Sequence, residues 1–457
     1  MFVGRINEIN QIQETIKVGG NHVLLYGNRR VGKSTLAFKA VKNSSLPFVS
    51  FECLKTSLLN NVDAFVSSLK DFKIINDNIL FSSLIDVFKY LTELNKRIVI
   101  IIDEFPYLYV KNNKDTIDSI FQNIIDNYSK NINLIIAGSH IGMMKTLVKS
   151  NNPLFGRFKL IIDLKELDYL EASEFYKNKS PYDKVAFYSV FGGSPYLLMQ
   201  INPDKSLEEN IINTFLNQNN IVNAFVSNGY TSDIPSKIIA SHIFEVLGNS
   251  KLRHNRIEEL LKYEHNGLLS KHLDLLLEMN FIKSNEPINK IGDKKKKTYS
   301  IANNALRFYY TYIYGKTNII NIIGADTFYD KYIKNTLTTF ISLRFEDIAK
   351  SFVSKLTVDK KLTGVYNIGT YYYDDPINNK NGEFDLVIQR KDYYDLIEVK
   401  YLNKKVSSSI VNKEISQIKE IKDLKIKDYG FISINGFEDN IKQLKYMYDG
   451  EDIYFLK

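Results

Sequence analysis

Tryptophan is absent from the 457 residues and cysteine occurs once, at Cys53. A single thiol excludes an internal disulfide and a cysteine-based zinc site. The six histidines, at 22, 140, 242, 254, 265 and 272, have no metal-site spacing and form no Cys/His nucleophile pair. Long apolar runs are missing as well. The longest, Ile98–Ile102, stops at Asp103-Glu104, far short of the ~20 residues a membrane helix needs. The start, Met1-Phe2-Val3-Gly4-Arg5, has neither the basic head nor the apolar core of a signal peptide. A cytoplasmic chain with no membrane partner is therefore expected. With 9 Pro, 22 Gly and 44% hydrophobic residues the chain is neither collagen-like nor globally disordered. Charge of one sign is also in short supply: 60 Lys+Arg stand against 52 Asp+Glu, a net +8 that permits a nucleic-acid partner without demanding one. At roughly 100–200 residues per domain, the length predicts about two to four domains.

What is present begins with alternation. Apolar runs at His22–Tyr26, Pro47–Phe51, Ile98–Ile102, Leu134–Ala137 and Leu160–Ile162 suit strands of a buried parallel sheet. Lys33–Val41 and Thr116–Tyr128 read as intervening helices, which gives a βαβ pattern. A mostly helical stretch from about 170 to 230 is interrupted by Phe191-Gly192-Gly193-Ser194-Pro195. Helices are expected at 236–247, 254–263 and 269–279, with strands near 281–284 and 298–301. Residues 302 to about 340 look helical. Beyond them come a helix around Ser342–Lys355 and strands at 364–372, 383–389, 394–401 and 428–434. The Asn-rich turn Ile377–Gly382 reads as a solvated loop.

The chemistry starts at Gly27-Asn28-Arg29-Arg30-Val31-Gly32-Lys33-Ser34, followed by Thr35. These residues fit G-x-x-x-x-G-K-[ST], between a strand and a helix. The glycines let backbone N–H groups face phosphates, and the helix N-terminus adds partial positive charge. Lys33 would reach the β- and γ-phosphates of ATP, and Ser34 would ligate Mg²⁺. Asp103, at the end of an apolar strand, would hold Mg²⁺ through water, and Glu104 would polarise the attacking water. Ser139 is placed either to sense the γ-phosphate or to cap a helix. Arg157 is placed to act on phosphate, in its own domain or a neighbouring subunit, or is a surface arginine. Gly193-Ser194-Pro195 either begins a helix facing the nucleotide or is an ordinary turn.

Phe2-Val3-Gly4-Arg5, Ile102-Asp103-Glu104-Phe105-Pro106-Tyr107-Leu108, Ala137-Gly138-Ser139 and Pro153-Leu154-Phe155-Gly156-Arg157 together resemble the archaeal-type ATPases of the AAA+/STAND group. That resemblance covers about the first 200 residues. It implies a RecA-like core with a helical lid that binds and hydrolyses ATP, and whose nucleotide state drives a conformational change.

Three helices and a hairpin between 236 and 300 fit a winged helix-turn-helix. Ile257, Leu260, Leu261, Leu268, Leu269, Leu273 and Leu276 recur at helical spacing and are core. Ser270, Lys271, His272 and Asp274 lie on or near the exposed side of the third helix. The hairpin loop carries Lys294, Lys295, Lys296 and Lys297. A lysine run in a wing suits phosphate contact with DNA or RNA, or else keeps a hairpin edge soluble. The stretch from Thr298 to Tyr310 looks like the segment that follows the winged helix in the same ATPases.

Near the C-terminus, Asp385 precedes Glu398-Val399-Lys400 by 13 positions. A two-residue turn at Lys391-Asp392 pairs 390 with 393 and sets Asp385 opposite Glu398. Facing carboxylates repel, and a divalent cation removes the conflict. Lys400 shares a strand face with Glu398 and could orient water; Glu346 could supply a third acid and Gln417 could assist. Tyr371, Tyr372 and Tyr373 are placed to stack on a base. Gly382-Glu383-Phe384-Asp385 and Glu398-Val399-Lys400 resemble the PD-(D/E)XK nuclease superfamily, over about residues 341–457. The first acid departs from the superfamily's Pro-Asp. The resemblance implies metal-dependent cleavage with Asp385, Glu398 and Lys400 as catalytic residues and Mg²⁺ or Mn²⁺ as the ion.

The expected fold is thus α/β and multidomain. A RecA-like P-loop parallel sheet (1–168) carries a helical lid (169–234), then a winged helix-turn-helix (235–302), a helical connector (303–340) and a C-terminal α/β PD-(D/E)XK-like domain (341–457). The expected function is a Mg-ATP-dependent ATPase that couples nucleotide state to nucleic-acid binding or cleavage. The alternative is an ATP-controlled regulatory switch whose nuclease-like domain only binds partners. Expected partners are ATP/ADP, DNA or RNA, and a further copy of the chain.

Overall fold

Each apolar run becomes a strand, with ends shifted by a residue or two. The computed structural model describes residues 2–76, 79–262, 267–375, 380–421, 425–441 and 444–455. The end of the helix expected over 254–263, His265 and the first part of the 377–382 turn lie outside the described residues. The chain divides into two units, Met1–Leu167 with Ser194–Tyr196, and Asp168–Gly193 with Leu197–Lys457.

The first unit holds a five-stranded parallel sheet: β1 (Val23–Tyr26), β2 (Phe48–Glu52), β3 (Ile98–Asp103), β4 (Ile132–Gly138) and β5 (Leu160–Asp163). Their order is β2-β3-β4-β1-β5. Successive side chains in a strand point to opposite faces, and both faces are covered. Leu24, Ile100, Ile102, Leu134 and Ile136 join the core under the helices Leu58–Asp71, Leu84–Glu93 and Lys114–Tyr128. Val23, Leu25, Val99, Ile101, Ile135 and Ala137 pack under the helices Ile6–Ile16 and Lys33–Lys42. Full burial of each such side chain contributes roughly 1.5–3 kcal/mol, which is why these strands read as unbroken apolar runs. β4 sits between β1 and β3, so the loops after all three open on one sheet edge.

The second unit contains two smaller sheets. A two-residue strand not foreseen from the sequence, β6 (Leu252–Arg253), adds to the hairpin β7 (Ile282–Asn285) and β8 (Thr298–Ile301) in the order β6-β8-β7. The helices Lys237–Leu247, His254–Leu261 and Leu268–Glu278 accompany this sheet. The last sheet is β9 (Asn367–Asp375), β10 (Lys380–Gln389), β11 (Tyr394–Lys400), β12 (Ile426–Ser433) and β13 (Tyr446–Tyr448), ordered β13-β12-β11-β10-β9. β9 to β11 are antiparallel, and β12 and β13 run parallel to β11.

The divisions expected at 234/235, 302/303 and 340/341 do not separate within this unit. The helix expected at Ser342–Lys355 runs continuously from Lys334 to Val358 and crosses 340/341. An aromatic series from Phe191 to Phe215 (5.3 Å), Phe308 (4.9 Å) and Phe340 (5.6 Å) ties the lid, connector and long helix into one core.

The hairpin loop is docked as well. Ile288 donates its N–H to Thr370 O of β9 (2.7 Å). The Asn289 side chain donates to Tyr372 O (2.7 Å) and accepts from Tyr372 N (3.0 Å). Ile288 is buried with Val387, Leu396 and Ile418.

Candidate functional site

The loop after β1 is shaped by backbone constraints. A Cβ on Gly27 would lie 2.2 Å from Leu164 O. Gly32 caps the helix Lys33–Lys42 at φ 93°, where a side chain is strained. Lys33 is buried, and its ammonium donates to Gly27 O (3.1 Å), Asn28 O (3.0 Å) and Ser139 Oγ (3.0 Å). Ser139 in turn donates its hydroxyl to Glu104 Oε1 (2.7 Å). Three residues from three strand ends thus form one chain of polar contacts. Glu104 is held at φ 48°, a left-handed conformation uncommon for a side-chain-bearing residue. Its amide is fixed by Asp103 Oδ1 (2.9 Å). Ser34 and Thr35 are exposed at the start of the helix, where an incoming phosphate would meet them. The helix cap after β4 is His140, which leaves Ser139 to the Lys33–Glu104 chain.

Two further positions support this loop. Arg5, buried at 6% exposure, donates to Val31 O (3.4 Å) and Lys165 O (2.5 Å), and so braces the loop from behind. Ser194 Oγ donates to Arg30 O (3.3 Å), and the Arg30 guanidinium lies 4.6 Å from the Tyr196 ring centroid. The segment Ser194–Tyr196 therefore packs on the phosphate loop. Val31 is buried, and Arg29 is half-buried.

Arg157 requires a correction. Its guanidinium is bidentate to Asp126 (2.8 and 2.7 Å) and also donates to Pro153 O. Lys159 N bonds His22 O, just ahead of β1, and Leu160 pairs with Val23. Arg157 thus sits at the N-terminal end of the parallel strands, whereas the phosphate loop leaves their C-terminal end. It does not serve the nucleotide of its own domain.

In the C-terminal sheet the hairpin has the expected register. Gln389 pairs with Tyr394, Ile388 with Asp395 and Val387 with Leu396, and Arg390 N bonds Tyr393 O (2.8 Å). A register shift between Phe384 and Val387 in the β9–β10 ladder then releases the strand around Asp385. The three acids are not assembled as the sequence suggested. Among the described residues no three His, Cys, Asp or Glu converge on a metal position. Instead Lys251, just before β6, places its ammonium 3.0 Å from Glu346 Oε2 and 3.1 Å from Asp385 Oδ1. Glu398 lies 3.6 Å from Lys400, whose stronger partner is Glu414 at 2.7 Å. Gln417 is exposed; Glu414, one turn earlier, holds the inward face.

The electrostatics follow from burial and these lysines. Burial, opposed by Lys251 and reinforced by Asp385, raises the Glu346 carboxyl from its ordinary 4.5 to about 7. Burial also raises Glu398, despite Lys400. Burial alone would pull Lys251 down, but Glu346 and Asp385 hold it above the usual lysine range.

Beside Glu346, Asp347 is surrounded by cations. Lys283 lies 2.7 Å away, and Arg307 and Arg344 each 3.8 Å. Burial would raise Asp347, but the three cations hold it well below the usual carboxylate range. Burial lowers Arg307 to about 9 and Lys283 to about 8.

The expected nucleic-acid lysines differ in their freedom. Lys271, Lys294 and Lys295 are exposed. Lys296 instead stacks over Tyr372 of β9 (3.7 Å), and Lys297 pairs with Glu286 (3.5 Å). The docking of the loop on β9 turns these two inward. Lys251, Glu414 and the Asp347 cluster carried no local motif; only the fold brings them together.

Residues 2–201 match the family described as an ATPase domain predominantly from Archaea. Residues 309–415 match a family of archaeal and bacterial proteins of unknown function, a span that includes Arg344, Glu346, Asp385, Glu398, Lys400 and Glu414. An uncharacterized protein of Methanocaldococcus jannaschii is 29% identical over 400 residues, covering 85% of this chain and 84% of its own. The Walker-type ATPase PABY2304 of Pyrococcus abyssi superposes with a TM-score of 0.53 at 18% identity, over 68% of this chain and 96% of that one. The N-terminal part is accordingly a P-loop ATPase domain of archaeal type. No helix among the described residues is long and apolar enough to cross a membrane.

Proposed function

We propose that this protein hydrolyses Mg-ATP and couples nucleotide state to nucleic-acid binding or cleavage through its C-terminal domain. The observation that carries the first half is the Lys33–Ser139–Glu104 chain (3.0 and 2.7 Å) at the mouth of the phosphate loop. Lys33 now satisfies its ammonium on the loop's own carbonyls. Phosphate oxygens would take over those bonds and draw Lys33 from Gly27 and Asn28. The same exchange frees Ser139 to reorient, and with it the Glu104 carboxylate that orients and polarises the attacking water. Ser34 and Asp103 are the residues that would hold Mg²⁺, which supplies charge neutralisation on the phosphates. Glu104→Gln and Lys33→Ala test this assignment: the first should bind ATP without turnover, the second should lose affinity. Unchanged turnover in Glu104→Gln would remove Glu104 from the mechanism.

For the second half, three helices with the β6-β8-β7 sheet support reading residues 235–302 as a winged helix. The mixed sheet, with Asp385 inside β10 and Glu398 and Lys400 near the end of β11, supports a PD-(D/E)XK-like domain. Glu346 and Asp385 already share one positive charge, the Lys251 ammonium (3.0 and 3.1 Å), which supports this pair as part of a cation site. In the cleavage reading Glu346, Asp385 and Glu398 are the residues that would hold a divalent ion once Lys251 withdrew, and the ion would supply water activation and charge stabilisation on phosphate. Lys400, anchored by Glu414, would then be poised at the same strand end to orient water.

The position of Lys251 also favours a second reading, a switch in which the domain only binds partners. Incubation of the full chain with Mg²⁺ or Mn²⁺ and single- or double-stranded DNA or RNA, with and without ATP, separates the two. Cleavage lost in Glu398→Ala identifies the nuclease. Hydrolysis of ATP with no cleavage under any ion identifies the switch.

A further inference from the structure

Asp347 is one carboxylate among three cations. Lys283 of β7, Arg307 of the helix Asn304–Tyr312 and Arg344 of the helix Lys334–Val358 converge on it at 2.7, 3.8 and 3.8 Å. The two guanidiniums are each 1% exposed, whereas Lys283 is 42% and Asp347 35% exposed. The cluster therefore has a guanidinium floor and an open rim. The floor is incompletely satisfied. Arg307 donates one Nη to Ile301 O, and Arg344 donates Nη1 to Asn249 Oδ1 (3.0 Å), but the Nε of each arginine has no hydrogen-bond partner. The 3.8 Å contacts to Asp347 are too long to be hydrogen bonds. Three cations share the one carboxylate of Asp347, with Glu346 adding negative charge on the Arg344 side, and buried charge that is incompletely paired is costly.

We propose that this cluster binds a phosphate oxyanion, held by Lys283 at the rim and by the guanidiniums of Arg307 and Arg344 on the floor. A tetrahedral anion offers several acceptor oxygens to donors arriving from three elements, and guanidinium forks suit phosphate. It also supplies the negative charge the cluster lacks. Two sources share this chemistry: a small free phosphate, or the backbone of a polynucleotide. The preceding residue of the helix, Glu346, faces Asp385 through Lys251, so the phosphate would lie beside the proposed metal carboxylates. The assignment of a backbone phosphate therefore rests on the cleavage reading above, while the anion site does not.

The probe is inorganic phosphate, titrated calorimetrically into the full chain in a Lys33→Ala background, so that the phosphate loop does not contribute. Saturable binding is expected. Lys283→Met should weaken it about tenfold or more, the loss of one charge-assisted bond at ~1.4 kcal/mol. Lys391→Met, in the β10–β11 turn, should leave it unchanged. In the native chain, phosphate should also shield the Lys283 amine from acylation at pH 8, read by peptide mass spectrometry, so the test survives if Lys283→Met misfolds. A short single-stranded oligonucleotide that competes with phosphate identifies the backbone as the source; binding without such competition identifies a small anion at the same site. Absence of saturable binding, or binding and shielding indifferent to Lys283, overturns the proposal. Glu398→Ala should retain phosphate affinity, so a chain that binds phosphate and never cleaves would lose the cleavage reading and keep this one.

Discussion

Replacing Lys251 by Met removes the ammonium between Glu346 and Asp385 but keeps most of the side-chain volume. At an effective dielectric constant of about 20, each contact near 3 Å is worth ~5 kcal/mol of gross attraction. Desolvation of the lysine cancels part of this, and Asp385, 42% exposed, is screened by water. A net loss of about 2–3 kcal/mol remains. That loss depends on pH in a definite direction. Glu346 titrates near 7 in the folded chain against an ordinary 4.5. The folded state thus binds the proton more tightly, and stability rises as pH falls from about 7 towards 4.5. Without Lys251 the carboxyl shifts further up, so the penalty is largest near pH 8 and shrinks below pH 6 as Glu346 becomes neutral. Hydrogen exchange reports this locally, without assuming that a multi-unit chain unfolds in one step. Amides around 342–350 and 383–388 should lose about 30- to 150-fold of protection at pH 8, corrected for intrinsic rates. Mg²⁺ should restore more protection in the variant than in the native chain. Equal protection at pH 8, or a loss of the same size at pH 5.5, would refute the argument and leave Lys251 as a packing residue.

Glu104→Gln should lower ATP turnover by roughly 10²–10⁴-fold at near-native affinity, checked by phosphate release and nucleotide titration. Arg157→Ala should leave ATP affinity of the isolated protomer unchanged and cost less than about 1 kcal/mol, since its partner Asp126 is 43% exposed; a large loss of affinity would return Arg157 to the site. His22 is buried with its pKa lowered to about 4, bonded to Ser129 Oγ (3.2 Å) and accepting from Leu134 N (3.1 Å). The unfolded chain binds this proton first, so protection of β1 and β4 should fall as pH drops from 6.5 to 4, by up to about 3 kcal/mol, and His22→Asn should flatten the dependence. If the hairpin loop contacts nucleic acid, Lys294→Glu with Lys295→Glu should weaken oligonucleotide binding more than Lys296→Glu with Lys297→Glu, measured by fluorescence anisotropy. The reverse ranking would mean that the loop leaves β9 when it binds.

Much of the first unit was legible because its signals are local and dense. Five apolar runs and one phosphate-loop motif gave strand positions within a residue or two, since strands buried on both faces tolerate little else. The register of the Lys391-Asp392 turn was readable for a similar reason: a short hairpin leaves little choice. The own-domain role for Arg157 was not excluded by the sequence because it depends on which end of the sheet the residue occupies, and a motif carries no such information. The continuity of the helix from Lys334 to Val358 across 340/341 was not legible because its apolar residues run all along it and no cap or breaker marks either a boundary or its absence. Lys251, Lys283, Arg307 and Asp347 lie far apart in sequence; only tertiary packing gives them meaning.

The loop between β7 and β8 lies along β9, the last strand of its sheet, and occupies Thr370 O and both backbone polar groups of Tyr372. A sheet's outermost strand otherwise presents a row of unpaired amides and carbonyls, a template for any extended chain. Here the protein covers that template with its own Ile288 and Asn289. Whatever event lifts the loop, whether contact with nucleic acid or a change in the lid, also uncovers a strand able to recruit another chain by backbone pairing. Release of the loop and self-association are thereby linked, and a chain held open for long would be prone to aggregate.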